Sequence, residues 1–190
     1  APNGVVIDIR SDDLVDEGDD PKAALELLHQ RLDKIYEAKP EYRHTDRVLT
    51  QIVHTYHMPR GLLNALLEGF AWDAEGKIYH TIDDVYDYSA RVAGAVGVMM
   101  SVLMGVRDPK TLARAADLGT AMQLTNIARD VGEDARLGRI YLPLDELTAE
   151  GVNPKELLAN PQFSEGIGAV THRLLERAKW LYQRSDNGIA

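Results

Sequence analysis

The 190-residue chain contains no cysteine, and its 30 acidic residues outnumber 21 lysines and arginines, for a formal charge of −9. That balance rules out a disulfide scaffold and argues against nucleic acid as a partner, because phosphate backbones recruit clustered basic residues and no such cluster occurs. No apolar run approaches the ~20 residues of a spanning helix, and no basic–apolar–small-residue leader opens the chain. The expectation is one soluble, cytoplasmic domain over 1–190, able to rest peripherally on a membrane surface, with its oligomeric state left open.

The first residues are unusually acidic: seven carboxylates fall between Asp8 and Asp20, with Arg10 as the lone counter-charge. Such a density means a disordered tail, a solvated helix end or a cation site. From Pro21 to Lys39, Ala24, Leu25, Leu28, Leu32 and Ile35 recur at helical spacing, and Pro40 ends the run. A second helix is predicted over 43–57, with Val48, Ile52, Val53 and Tyr56 apolar. A third follows Pro59 and reaches Ala74, where Ala74–Gly76 makes a turn. Thr81 and Asp84 have the spacing of a capping box for a helix running to Met104, with Gly105 as its stop. Its apolar part, Val92 to Val106, reads as a buried helix. Asp108 followed by Pro109 predicts a cap and first turn for a helix extending to Ala135. A loop over 138–143, a short helix over 144–150, a connection over 151–161 and a last helix over 164–184 complete an all-α class without repeats. The last helix places Ile167, Val170, Leu174, Leu175, Ala178 and Leu181 inward.

Two segments carry chemistry. In Asp12-Asp13-Leu14-Val15-Asp16-Glu17, a helix would put Asp12 and Asp16 on one face; taken alone, an acidic run of this kind is usually solvated. In Gln123-Leu124-Thr125-Asn126-Ile127-Ala128-Arg129-Asp130-Val131-Gly132-Glu133-Asp134, the side chains of Asn126, Asp130 and Asp134 form one row at i, i+4 and i+8. Oxygen donors in a row suit a hard divalent cation that shares its remaining positions with water and phosphate; an amphipathic helix with an acidic face is the plainer alternative. Arg129 and Arg139 supply forks matched to phosphate oxygens. Taken together, carboxylates and arginines point to metal and diphosphate bound side by side, and a helical bundle can bring two acidic helices to face one another. Ionising a prenyl diphosphate there would need charge neutralisation at the leaving group and a dry apolar cavity around the cation.

Other candidates read more blandly. His54 and His57 are three apart but have no third ligand near them in sequence. Met99, Met100 and Met104 look like core or cavity wall. Phe70, Trp72, Tyr86 and Tyr88 could stabilise a cation through their π faces, whereas Glu68 and Asp73 read as solvated charges. No glycine-rich nucleotide loop is present.

At these residues the chain resembles the squalene/phytoene synthase family. Asp12–Glu17 is similar to the family's first aspartate-rich motif, and Arg91-Val92-Ala93-Gly94-Ala95-Val96-Gly97 resembles its central segment. Gln123–Asp134 with Gly138-Arg139-Ile140-Tyr141-Leu142-Pro143 is similar to the second motif and its sequel. The likeness runs from about Arg10 to the end and is nearest to bacterial phytoene synthases.

The resemblance implies an isoprenoid synthase-type helical bundle around a central cavity, incomplete at both ends because the first and last helices are missing. It implies head-to-head condensation of two geranylgeranyl diphosphates to phytoene through a cyclopropyl diphosphate, in carotenoid biosynthesis. It further implies Mg²⁺, or Mn²⁺ in its place, at Asp12, Asp13, Asp16, Asn126, Asp130 and Asp134, with Asp12, Asp16, Asp130 and Asp134 catalytic. Arg10, Tyr88, Gln123, Arg129 and Arg139 would then bind substrate. NADPH is not expected of a phytoene synthase. The alternatives are squalene or dehydrosqualene synthesis from farnesyl diphosphate, and a non-catalytic scaffold relative. Two positions depart from the pattern, Ile9 in place of an arginine and Ala90 in place of a tyrosine. Gly94 and Gly97 are expected to serve helix packing rather than substrate contact.

Overall fold

A computed structural model of the protein describes residues 21–186, and helices form every regular element among them. They are α1 (Pro21–Tyr36), α2 (His44–Tyr56), α3 (Arg60–Ala74), α4 (Ile82–Ser89), a π-helical segment (Ala90–Gly94), α5 (Ala95–Leu103), α6 (Pro109–Arg136), α7 (Leu144–Ala149), α8 (Pro154–Ala159) and α9 (Glu165–Ser185). The predicted all-α class holds. None of these helices is long and apolar enough to cross a membrane.

Local chemistry explains the boundaries. The capping box at α4 forms: Thr81 Oγ1 accepts from the Asp84 N–H at 3.3 Å, and Asp84 Oδ2 accepts from the N–H groups of Thr81 and His80 at 2.9 Å. An aspartate therefore does the work usually given to a glutamate. At α6, Asp108 Oδ2 accepts from the Thr111 N–H at 2.8 Å, and Pro109 occupies the first turn, where its missing donor costs nothing. Gly105 follows α5 at φ 90°, a conformation that favours a residue without Cβ.

Four expectations change. The helix predicted over 81–104 is interrupted by the π-helical turn at Ala90–Gly94. The connection over 151–161 contains α8, with Asn153 Oδ1 accepting from the Lys155 N–H at 3.0 Å ahead of Pro154. This is the same cap-and-proline signal as at α6, on a helix too short to show periodicity. The Val92–Val106 stretch is buried on one face only, since Val96, Met100 and Met104 recur every fourth residue and are exposed. Leu175 is exposed rather than inward, one residue off the buried stripe Ile167, Val170, Leu174, Ala178 and Leu181.

The long helix α6 is the organising element. It packs on α9, α5 and the π-helical segment, and its Ala121, Leu124 and Ile127 join Val85, Tyr88, Leu142, Val170 and Leu174 in the main core. A smaller core gathers Ile35 of α1, Val53 of α2, Met58 of the short link before α3 and Val102 of α5. Two buried aspartates hold neighbouring helices together. Asp46 of α2 takes a two-point contact from Arg31 of α1 (2.6 and 3.1 Å), and Asp117 of α6 accepts from Arg184 of α9 and from Arg114. Breaking one partner of such a buried pair is costly because the other is left uncompensated.

Where α6 meets the π-helical segment and α5, backbone touches backbone. A Cβ on Gly97 would overlap the carbonyl oxygen of Ala115, and one on Gly119 would overlap that of Ala93. A Cβ on Gly94 would press on Thr120 Oγ1 at 3.0 Å. The central glycines therefore serve helix packing. Gly97→Ala and Gly119→Ala should each lower stability by about 1–3 kcal/mol through overpacking, while Gly61→Ala, with nothing within 4 Å, leaves the melt unchanged or raises it. Equal melting temperatures for all three variants would contradict this packing.

Candidate functional site

The second acidic segment lies wholly within α6. Leu124 and Ile127 are buried and Val131 packs against the main core, which turns Asn126, Asp130 and Asp134 away from that seam as half-buried side chains. Gln123 stands one turn before them, its Oε1 accepting a long 3.5 Å contact from Asn126 Nδ2. The predicted row is therefore real. Arg10, Asp12, Asp13 and Asp16 lie outside the described residues. Among the described residues no group of three or more carboxylates and histidines is arranged to hold a metal ion.

Charge within the row is unevenly handled. Arg129 closes its fork on Asp130, Nε to Oδ1 and Nη2 to Oδ2 both at 2.6 Å, and that contact holds the Asp130 carboxyl below its usual range. Asp134 moves the other way. Burial raises its pKa, and the charges of Asp130, Glu133 and Asp73 add to the rise against the opposing pull of Arg139. The row thus ends in a half-buried carboxylate whose ionised form a bound cation would stabilise. Two carboxylates and an amide supply hard oxygen donors but no closed cage, a donor set that fits Mg²⁺ sharing its shell with phosphate oxygens and water.

Beside Asp134 lies a cluster that the sequence had not connected. Asp73, at the end of α3, accepts from the Tyr88 hydroxyl of α4 through Oδ2 and from the Tyr141 hydroxyl through Oδ1, both at 2.8 Å. Tyr141 belongs to the loop after α6, and its hydroxyl receives a 3.4 Å contact from Arg139 Nη1. The Tyr88 and Tyr141 rings stack with centroids 5.2 Å apart, and Tyr79 packs against both. Burial, with the Asp73 charge next to it, pushes the hydroxyls of Tyr88 and Tyr79 far up and keeps them protonated. The Tyr79 hydroxyl is buried without a partner.

Other candidate residues take defined partners here. Tyr88 is only 5% exposed and spends its hydroxyl on Asp73. Asp73 is not merely a solvated charge, and Glu68 pairs with Arg91 at 2.8 Å. Of the aromatic candidates, Trp72 already has Lys77 and Arg91 over its ring at 3.0 and 4.3 Å, and Tyr86 packs against the main core. His54 Nε2 lies 3.2 Å from the Ile35 carbonyl oxygen, and His57 closes α2 in a left-handed conformation. Only contacts across long sequence separations reveal Asp73, although Tyr141 within the Arg139–Pro143 segment was a signal that could have been followed.

A family model described as squalene/phytoene synthase matches residues 7–190. The chain is 56% identical over 182 residues to a phytoene synthase of Rhodobacter capsulatus, covering 94% of this chain and 54% of the relative. It is 56% identical over 168 residues to one of Cereibacter sphaeroides, covering 88% and 47%. The chain therefore spans about half the length of these curated relatives. Among solved structures, a dehydrosqualene synthase crystallised with a ligand superposes with TM-score 0.79 at 35% identity, over 93% of this chain and 62% of that one. Squalene synthase HpnC from Alicyclobacillus acidocaldarius shares the fold at TM-score 0.81 and 24% identity, over 88% and 63%.

The contrast between the two acids is measurable. In a carboxyl-carbon NMR titration Asp134 should lose its proton at higher pH than Asp130, and Asp130→Asn should lower the Asp134 midpoint by removing a negative neighbour. Because folding raises the Asp134 pKa, ionising it in the folded chain costs stability, and that cost disappears as pH falls through the folded value. The reverse order of titration would contradict the electrostatics described.

Proposed function

Because the chain belongs to the squalene/phytoene synthase family, we propose that the full protein condenses two geranylgeranyl diphosphates head to head, forming phytoene for carotenoid biosynthesis. The observation that carries this reading is the unbroken α6, which holds Asn126, Asp130 and Asp134 in one row beside Arg139 in a chain so similar to bacterial phytoene synthases.

In this reading Asp130 and Asp134, joined by Asn126 and by Asp12, Asp13 and Asp16, hold Mg²⁺, and Mn²⁺ could replace it. Bound Mg²⁺ would supply neutralisation of the charge that develops on departing diphosphate. Arg139 donates to phosphate oxygens; among the described residues it makes no ion pair, and only Tyr141 is at its fork. Arg129 is available to phosphate once a cation takes over Asp130. The row ends beside Ile127, Val131, Ile140 and Leu142, which border a cleft of about 10 Å³ with Asp134, Arg139 and Tyr141, room for about one water. A carbocation in this reading requires a larger dry apolar cavity around it. The first condensation joins C1 of one allylic donor to the double bond of the other. Diphosphate leaves the donor, a proton is lost, and the product is a cyclopropyl diphosphate; loss of its own diphosphate, rearrangement and loss of a second proton give phytoene.

The likeness to a dehydrosqualene synthase structure supports a second reading, in which farnesyl diphosphate is the substrate. Full-length protein should convert geranylgeranyl diphosphate with Mg²⁺ to a forty-carbon hydrocarbon without added NADPH, as read by mass spectrometry. A thirty-carbon product from farnesyl diphosphate alone would favour the second reading. No product from either would favour a scaffold.

A further inference from the structure

Asp73 lies in neither aspartate-rich segment, yet it occupies the middle of a polar cluster drawn from three parts of the chain. Its two carboxylate oxygens each take one tyrosine hydroxyl, one from α4 and one from the loop after α6. The backbone of the loop after α6 is already fixed. The Leu144 N–H bonds to the Tyr79 carbonyl at 3.1 Å, and the Asp145 N–H to that of His80 at 3.0 Å. What Asp73 settles is therefore the direction of side chains. Tyr141 gives its one proton to Asp73, so its oxygen lone pairs face Arg139 as acceptors. Stacking against Tyr88 and Tyr79 keeps the Tyr141 ring from swinging away. Both hydroxyls remain protonated donors, because burial and the Asp73 charge raise their pKa values.

We infer that Asp73 is a positioning residue that aims Arg139 at diphosphate through the Tyr141 hydroxyl, with Tyr88 as the second brace of the same carboxylate. This rests on the reading of Arg139 as a diphosphate ligand proposed above. It moves Tyr88 from substrate contact to scaffold, and it adds to the site a residue 57 positions before Asp130. Asp73 also contributes to the negative field at Asp134, so one carboxylate orients the arginine and strengthens the demand for cations beside it.

The experiment compares full-length wild type with Asp73→Asn, Tyr141→Phe and the double variant. It measures KM and kcat for geranylgeranyl diphosphate and, separately, binding of inorganic pyrophosphate with Mg²⁺ by calorimetry. A charge-assisted hydrogen bond lost from the chain that aims Arg139 should weaken pyrophosphate binding about tenfold in either single variant. The double variant should be no worse than the singles, because both changes cut one chain of contacts. KM should rise with kcat largely kept, the mark of lost ground-state binding. A merely structural role would instead lower kcat through the active fraction at unchanged KM, and that result overturns the inference. If Asp73→Asn fails to fold, Tyr141→Phe alone decides, since it leaves the Tyr88 contact to Asp73 in place; unchanged pyrophosphate affinity in that variant overturns it. A wild type that binds no pyrophosphate overturns this inference and the proposed function together. A wild type that binds it and is indifferent to all three variants overturns only the role of Asp73.

Discussion

The close approach of α6 to the chain before and within α5 governs the rest of the structure. Helices separated by ordinary side chains lie 8–10 Å apart, and here Gly94, Gly97 and Gly119 remove the side chains at the contact so that carbonyl oxygens fill their place. The π-helical turn at Ala90–Gly94 occupies the same contact, in keeping with the tendency of such turns to sit at functional positions. Once α6 is pinned there and along α9, its rotation is no longer free. Leu124 and Ile127 must enter the core, and Asn126, Asp130 and Asp134 must leave it on another side.

That fixed rotation concentrates like charge, which needs compensation. Asp130 finds it locally in Arg129, and Asp134 does not find enough. Around Asp134 the fold adds a further acid, Asp73, and a cation, Arg139, whose side chain among the described residues reaches only a tyrosine hydroxyl. A protein built for stability alone would have matched these charges more evenly. Binding cations together with an anionic ligand, as in the proposed function, would relieve that imbalance.

Much of this was legible in the sequence because it depends on neighbours within a helical turn or two. The i, i+4, i+8 spacing of Asn126, Asp130 and Asp134 needed only 3.6-residue periodicity, and the caps at Thr81 and Asp108 needed only residue type and position. What escaped required distance or context. Asp73 and Tyr141 meet across 68 positions, and nothing about an aspartate beside a tryptophan announces a double acceptor. Sequence also does not show where a hydroxyl points, so the bond from Tyr88 to Asp73 was not legible in it. The open face of Val96, Met100 and Met104 was hidden by its composition, since an apolar run reads as buried whichever neighbours it has. At α8 six residues were too few to display a period.

In the proposed function the face of α6 bearing Asn126, Asp130 and Asp134 shares its cations with the first acidic segment. Paramagnetic broadening by Mn²⁺ in the presence of pyrophosphate, read on the backbone amides of the full-length protein, tests it most directly. Simultaneous broadening at Asp12, Asp16, Asp130 and Asp134, reversed by excess Mg²⁺, is the predicted result. Broadening confined to one of the two segments, or spread over acidic residues elsewhere such as Asp83 and Asp87, would contradict it.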